Sequence, residues 1–223
     1  MILTLGAATM SCANSTKTNY ADLTKQYAKV QLTSDISHLS DNEKQMLDYL
    51  YEIGNIMDDI FWTQQFGGDK EAFLNSIEDK DARLFAEINY GPWNHFDNLN
   101  PFLPEYGAMP AGAGFYPTDM TKEEFEAWEN PDKTSLYTLI KRDENGQLQA
   151  VWYHEAYAEQ INRVAELLNK AADLAGDKEF ADYLRLRAKA VLTDDYFESD
   201  MAWMDVRNNN VDFVVGPLEN YVD

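Results

Sequence analysis

His154-Glu155 is the one pair in the chain that sits in the pattern of a known hydrolytic centre. In a His-Glu-x-x-His helix the two imidazoles lie one turn apart and share a zinc ion, while the Glu activates the bound water. Here position 158 is Ala and position 159 is Glu, so the second imidazole is absent and His154 reads as a helix-start or surface histidine. Asp194, Asp195, Glu198 and Asp200 carry the oxygens that calcium takes, but they lack the alternating spacing and the Gly of an EF-hand loop; they read as a solvated, helix-capping group. Trp62, Trp93, Trp128, Trp152 and Trp203 offer flat faces for sugar rings, yet they share no spacing, and core packing is the simpler expectation. No Gly-x-Gly-x-x-Gly, phosphate loop or nucleophile elbow occurs. Cys12 is the single thiol, so no internal disulfide and no four-thiolate metal site can form. Three histidines, at 38, 95 and 154, do not make a histidine cage. The residues therefore assign no catalytic group, no metal ligands and no cofactor to this chain.

The chain that would position any such groups has 223 residues, of which 45% are hydrophobic and 13% aromatic, enough for a buried core and far too apolar for a disordered polypeptide. With 39 acidic against 18 basic residues its net charge is −21, a field that repels phosphate backbones, so nucleic acid is excluded as a partner.

Met1 to Met10 is an uncharged apolar run, too short for a membrane span. Ser11 then precedes Cys12, and a polar stretch follows, as in a lipoprotein processing box ahead of a tether. Residues 1–34 are accordingly expected to be a leader and tether with Cys12 the lipid-bearing residue. The protein would be exported to the periplasm or held at the outer membrane, touching the membrane only through that anchor. Residues 35–223 are expected to form one lobe.

Within it, Ser40-Asp-Asn-Glu43 is a capping box, and Met46, Leu50, Ile53, Met57 and Ile60 recur at helical spacing, which predicts a helix over about 41–65 stopped by Gly67-Gly68. Short helices are expected after Asp69 and over 82–88. From Asn89 to Asp119, Pro and Gly punctuate too often for a regular element, and seven aromatics argue for a long ordered loop pinned to a surface. Thr121 opens another short helix. Leu136–Ile140 and Gln147–Trp152 flank Asn145-Gly146 and predict a β-hairpin. Tyr157 to Ala171 forms a helical face ending at Gly176 as a left-handed C-terminal residue, and Asp177 caps the next helix, with a further short one over 199–205. Val211–Asp223 reads as a terminal strand, an odd place for a domain to finish, and the polypeptide is expected to continue beyond it. The fold class is mainly α with an α+β admixture: a helical lobe with a β-hairpin, the long loop and the terminal strand.

Several stretches together resemble the dipeptidyl peptidase III family of zinc exopeptidases, in the branch found in Bacteroidota. They are Asn89-Tyr-Gly-Pro-Trp93, the run from Phe115 to Glu126, that from Pro131 to Ile140, Tyr153-His-Glu-Ala-Tyr157, Tyr183-Leu-Arg-Leu-Arg187, Leu192-Thr-Asp-Asp-Tyr196, Met201-Ala-Trp-Met-Asp205 and Val215-Gly-Pro-Leu-Glu-Asn-Tyr221. The resemblance runs over about 35–223 and is to the family's N-terminal portion. It implies a two-lobed enzyme that removes dipeptides from peptide N-termini. Zinc would be held by a His-Glu-x-x-x-His and a later Glu on a C-terminal lobe, a partner that this chain lacks, so the chain alone would be inactive. It implies substrate-side positions at Asp212, where the family has a Glu that meets the peptide N-terminus, and at Glu219, Asn220 and Tyr221 of the terminal motif. The family's neighbouring Tyr falls on Val214, and its hydroxyl is lost. The alternative left open is a non-catalytic lipoprotein module that binds peptide or glycan through its aromatic loop.

Mass spectrometry of protein from its native host is expected to find a lipid adduct on Cys12 and no Met1. An unmodified N-terminus in a soluble fraction would overturn the lipoprotein reading.

Overall fold

A computed structural model describes residues 18–216. Cys12 and most of the leader, together with Glu219, Asn220 and Tyr221, lie outside the described residues. The structure is mainly helical with two small antiparallel ladders, and among the described residues no helix is long and apolar enough to cross a membrane.

The spine is α2, Asp41–Phe66. The Ser40 side chain accepts from the Glu43 amide while the Glu43 carboxylate accepts from the Ser40 amide, so the expected capping box is present in both directions. At the other end Gly67 takes the left-handed conformation (φ 74°), a backbone that costs a side-chain-bearing residue and not Gly. Along α2, Met46, Leu50, Ile53 and Ile60 are buried. They meet α7 (Ala158–Leu174), which packs in turn on α8 (Lys178–Val191), and α8 packs on α9 (Phe197–Asp205). This bundle is the main core, filled by Ile161, Val164, Leu167, Leu168, Phe180, Leu184 and Val191.

A second core sits against the C-terminal half of α2. Asp69 and Asp79 cap the short helices α3 (Lys70–Ser76) and α4 (Lys80–Ile88). Phe73, Ala82, Phe85 and Ala86 from these helices close over Trp62 together with Phe102 and Leu103 of the long loop. The first described residues of the expected tether pack on the fold, whereas residues 28–34 are exposed. Tyr20–Thr24 forms a short helix, α1, beside α4, Tyr20 and Tyr27 pack on this core, and the Tyr27 hydroxyl donates to Asn89 at 3.0 Å.

The loop from Asn89 to Asp119 is ordered by its aromatics, as expected. Trp93, Phe102 and Phe115 are buried, and the Trp93 indole donates to the Gly107 carbonyl at 3.1 Å. Two-residue strands β1 (Trp93–Asn94) and β2 (Asn100–Pro101) clip it together. Tyr90 donates to Asp58 at 2.6 Å, and burial followed by that carboxylate pushes its phenol up to about 12. The loop is fastened to the end of α2 where the Gly114 amide donates to the Gln64 carbonyl at 2.7 Å. After α5 (Lys122–Ala127), capped by Thr121, the hairpin of β3 (Thr138–Arg142) and β4 (Leu148–Trp152) pairs Leu139 with Val151. Its turn spans Asp143–Gly146, with Gly146 at φ 76°. Arg142 reaches from it to clamp Asp119 and Glu124. From the hairpin the chain passes through the single-turn α6 (Tyr153–Ala156) into α7.

Two expectations need correction. Gly176 is not left-handed: α7 ends at Ala175 in an extended conformation, and Gly176 is instead where the Glu43 carboxylate approaches the backbone, 3.3 Å from the position of a Cβ. The terminal strand does not form over its described residues, 211–216. Among the described residues it joins neither ladder, and side chains meet its polar groups, the Phe213 carbonyl accepting from the Tyr183 hydroxyl at 2.8 Å.

A Cβ on Gly114 would lie 2.4 Å from the Thr63 carbonyl oxygen and 2.9 Å from that of Gln64, both backbone atoms of α2. Gly114→Ala is therefore expected to cost about 1–3 kcal/mol by overpacking, read as a melting temperature lower by several degrees. An unchanged melting temperature would mean that the loop is not fastened there.

Candidate functional site

Of the residues that the resemblance tied to substrate, Asp212 is the one described, and it lies on the segment after α9. Its course is set at Asn210, whose side-chain amide donates to Glu43 at 2.9 Å across 167 residues of sequence. From there the segment alternates as an extended chain should. Val211, Phe213 and Val215 pack on the main core, while Asp212 and Val214 face outward. The carboxylate and the valine that replaces the family's Tyr thus share one face.

Asp212 is oriented by two donors that both reach Oδ1, the Trp203 indole N–H at 3.0 Å and the Phe213 amide at 2.9 Å. Its second oxygen, Oδ2, takes no hydrogen bond among the described residues. It borders a cavity of about 260 Å³ lined by Trp203, Met204, Val206, Arg207, Asn209 and Asp212. A carboxylate held by one oxygen and open at the other can accept an ammonium.

Farther along the segment a hollow of about 500 Å³ is lined by Gly54 and Met57 of α2 and by residues 213–216. Arg187 forms part of its wall and is almost wholly buried. Its guanidinium is sandwiched by Tyr183 and Tyr196, 5.4 and 5.1 Å from the ring centres, and bonds Asp200 at 2.5 Å. Burial, reinforced by Asp194, pushes the Tyr196 phenol well above its ordinary value, against the pull of Arg187. Sequence reasoning missed Arg187. The available signal was its place three residues after Leu184 on the otherwise apolar face of α8.

The acidic cluster comes apart in space. Asp194 is buried, with a left-handed backbone (φ 55°), and accepts from the His154 amide at 3.1 Å while lying 2.7 Å from its Nδ1. That corrects the solvated reading for Asp194 and places His154 against it, not free at the surface. Asp200 serves Arg187 and Glu198 pairs with Lys189. Among the described residues no three His, Cys, Asp or Glu side chains are grouped to hold a metal ion. The donor set therefore does not fit the zinc that the resemblance implies for a complete enzyme. Of the tryptophans, Trp62 and Trp93 are buried, and Trp203 is 38% exposed beside Asp212.

Glu43 anchors this region. It is 8% exposed and accepts from the Ser40 amide and hydroxyl and from Asn210. The Ser40 amide, then Asn210 and the Ser40 hydroxyl, hold its carboxyl below the usual carboxylate range, against the opposing effect of burial. A carboxyl lowered in the folded state stabilises the fold above its unfolded pKa, and that contribution fades as pH falls through the folded value. Glu43→Gln is thus expected to lower the denaturation midpoint clearly at pH 7, and the gap from wild type should shrink below about pH 4. A gap independent of pH would show that the charge is not what matters.

No protein-family model matches the chain. Among curated proteins, Nudix hydrolase 3 of Arabidopsis thaliana is 29% identical over 276 aligned positions, which take in 95% of this chain and 36% of that protein. Among solved structures, dipeptidyl peptidase III from Caldithrix abyssi superposes with a TM-score of 0.78 at 36% identity, covering 85% of this chain and 38% of that one. The dipeptidyl-peptidase III of Corallococcus sp. strain EGB gives 0.78 at 30% identity, over 84% and 37%. The chain is dipeptidyl peptidase III-like, resembling that protein's N-terminal portion, and it spans little more than a third of the length of the relatives it matches.

Proposed function

We propose that this chain forms the substrate-binding wall of a dipeptidyl peptidase III-type hydrolase, in which Asp212 receives the free N-terminus of the peptide. The observation that carries the reading is Asp212 itself: an outward carboxylate on an otherwise core-packed segment, oriented through one oxygen and open at the other, in a fold shared with two dipeptidyl peptidase III structures. An exopeptidase must measure from the end of its substrate, and an ammonium on a fixed carboxylate does this through a charge-assisted bond of about 1.5–3 kcal/mol. The indole of Trp203 holds the carboxylate in place, and its exposed face can cover the first residues of the peptide. Val214 supplies an apolar contact on the same face where the family has a hydroxyl.

The zinc implied for the complete enzyme would be held outside the described residues, and no chemical step is assigned to residues of this chain. Glu219, Asn220 and Tyr221, outside the described residues, are proposed as further substrate-side positions on the resemblance alone, and Cys12 would tether the chain as a lipoprotein. The name of the Arabidopsis protein speaks of a chain of which the match takes in 36%, and no feature of the described residues favours a Nudix activity here. The glycan-binding alternative has less support because Trp93, Phe102 and Phe115 of the aromatic loop are core residues, which leaves Phe96 and Tyr106 as its exposed aromatics.

The test is a chimera in which this chain replaces the matching portion of the Caldithrix abyssi protein. Zinc-dependent release of dipeptides from free-amine peptides is expected. Asp212→Asn should raise KM by about tenfold or more and leave the poor turnover of N-acetylated peptides almost unchanged. Equal loss on both, or no loss on either, would remove Asp212 from substrate reading.

A further inference from the structure

The cavity beside Asp212 carries a second charge that the proposed function does not use. Arg207 lines it from the opposite sign. In a chain with 39 acidic and 18 basic residues, most cations have a carboxylate neighbour by numbers alone. Arg207 forms no ion pair among the described residues, and the hydrogen bond it makes is to the carbonyl of Val206, the residue just before it, at 3.0 Å. It does not close onto Asp212 across the cavity, and Asp212 turns its bonded oxygen toward Trp203. Among the described residues one cavity therefore presents an available carboxylate and an available guanidinium, and an indole and the Met204 thioether also line it.

We infer that this cavity binds a free dipeptide as a zwitterion, Asp212 taking its ammonium and Arg207 its carboxylate. Size admits the ligand: a sphere of 260 Å³ is about 8 Å across, and two extended residues reach about 7 Å, so a dipeptide fits the cavity. Chemistry selects it, because a planar guanidinium pairs with a carboxylate through two parallel bonds and has no such match with an internal peptide bond. The site rests on the proposed role of Asp212 and adds to it: within a dipeptide-releasing enzyme it would retain the released product and compete with incoming peptide. The carboxylate that Arg207 reads exists only after cleavage.

Calorimetric titration of this chain with alanylphenylalanine, its N-acetyl derivative and its C-terminal amide tests the site. The free dipeptide is expected to bind best, with each blocked form weaker by about tenfold or more. Arg207→Gln should make the dipeptide and its amide bind alike while keeping the penalty for N-acetylation, and Arg207→Lys should restore part of the difference. Arg207 is exposed, so these variants are expected to fold. Equal binding of acid and amide by the wild type, an amide penalty that survives in Arg207→Gln, or no saturation with any ligand would overturn the proposal. The loss of the acid preference alone leaves the amine reading of Asp212 standing, whereas loss of the N-acetyl penalty removes both.

Discussion

One buried carboxylate at the start of the longest helix decides how the chain closes on itself. Glu43 satisfies the first turn of α2 through Ser40, which a helix N-terminus needs because its amides have no partner within the helix. The same carboxylate approaches the backbone at Gly176, between α7 and α8, and accepts from Asn210 after α9. Three parts of the sequence thus meet on one side chain. A buried anion without its donors is costly, so the arrangement is held as a set: lose Asn210 and the cap is strained, lose the cap and the segment bearing Asp212 has no fixed origin.

Against that anchor the molecule divides its aromatic residues by task. Tyr90 and Phe102 of the long loop fill the space between α2, α3 and α4, and the Phe66, Phe73 and Tyr106 rings stack and cross within about 6 Å of one another. They make a rigid second core out of a segment with almost no regular structure. Near Asp212 the aromatics have different work. Trp203 holds a carboxylate, and Tyr183 both donates to Phe213 and lies under the Arg187 guanidinium. Burial of Arg187 is tolerable because Asp200 and two ring faces replace its water.

What the sequence revealed and what it hid follow from the range of the forces involved. The helix at Asp41–Phe66 was legible to within a residue because capping box, apolar period and terminating glycines are all local. The hairpin was legible from Asp143–Gly146 for the same reason. The outward face shared by Asp212 and Val214 was legible from alternation alone. Illegible were the partnerships between distant segments: Glu43 with Asn210, His154 with Asp194, Trp203 with Asp212. Asp194 looked like one more surface acid because nothing in its neighbours announces that a histidine forty residues earlier will cover it. The left-handed Gly176 failed because a side chain from α2, not the helix end, dictates the need for a small residue there. The strand expected at 211–216 had the right alternation but joins neither ladder among the described residues.

The alternation of residues 211–216 makes the spacing of this segment matter more than its composition. It is pinned at Asn210 and again where the Phe213 carbonyl meets Tyr183, so its side chains have a fixed phase between two fastenings. Deleting or inserting a single residue between them would exchange inside and outside, pressing the carboxylate into the hydrocarbon of the bundle and turning a phenyl ring out to water. Homologous chains should therefore keep the same count of residues between the two fastenings, and anyone regrafting this surface would do well to preserve length as well as identity.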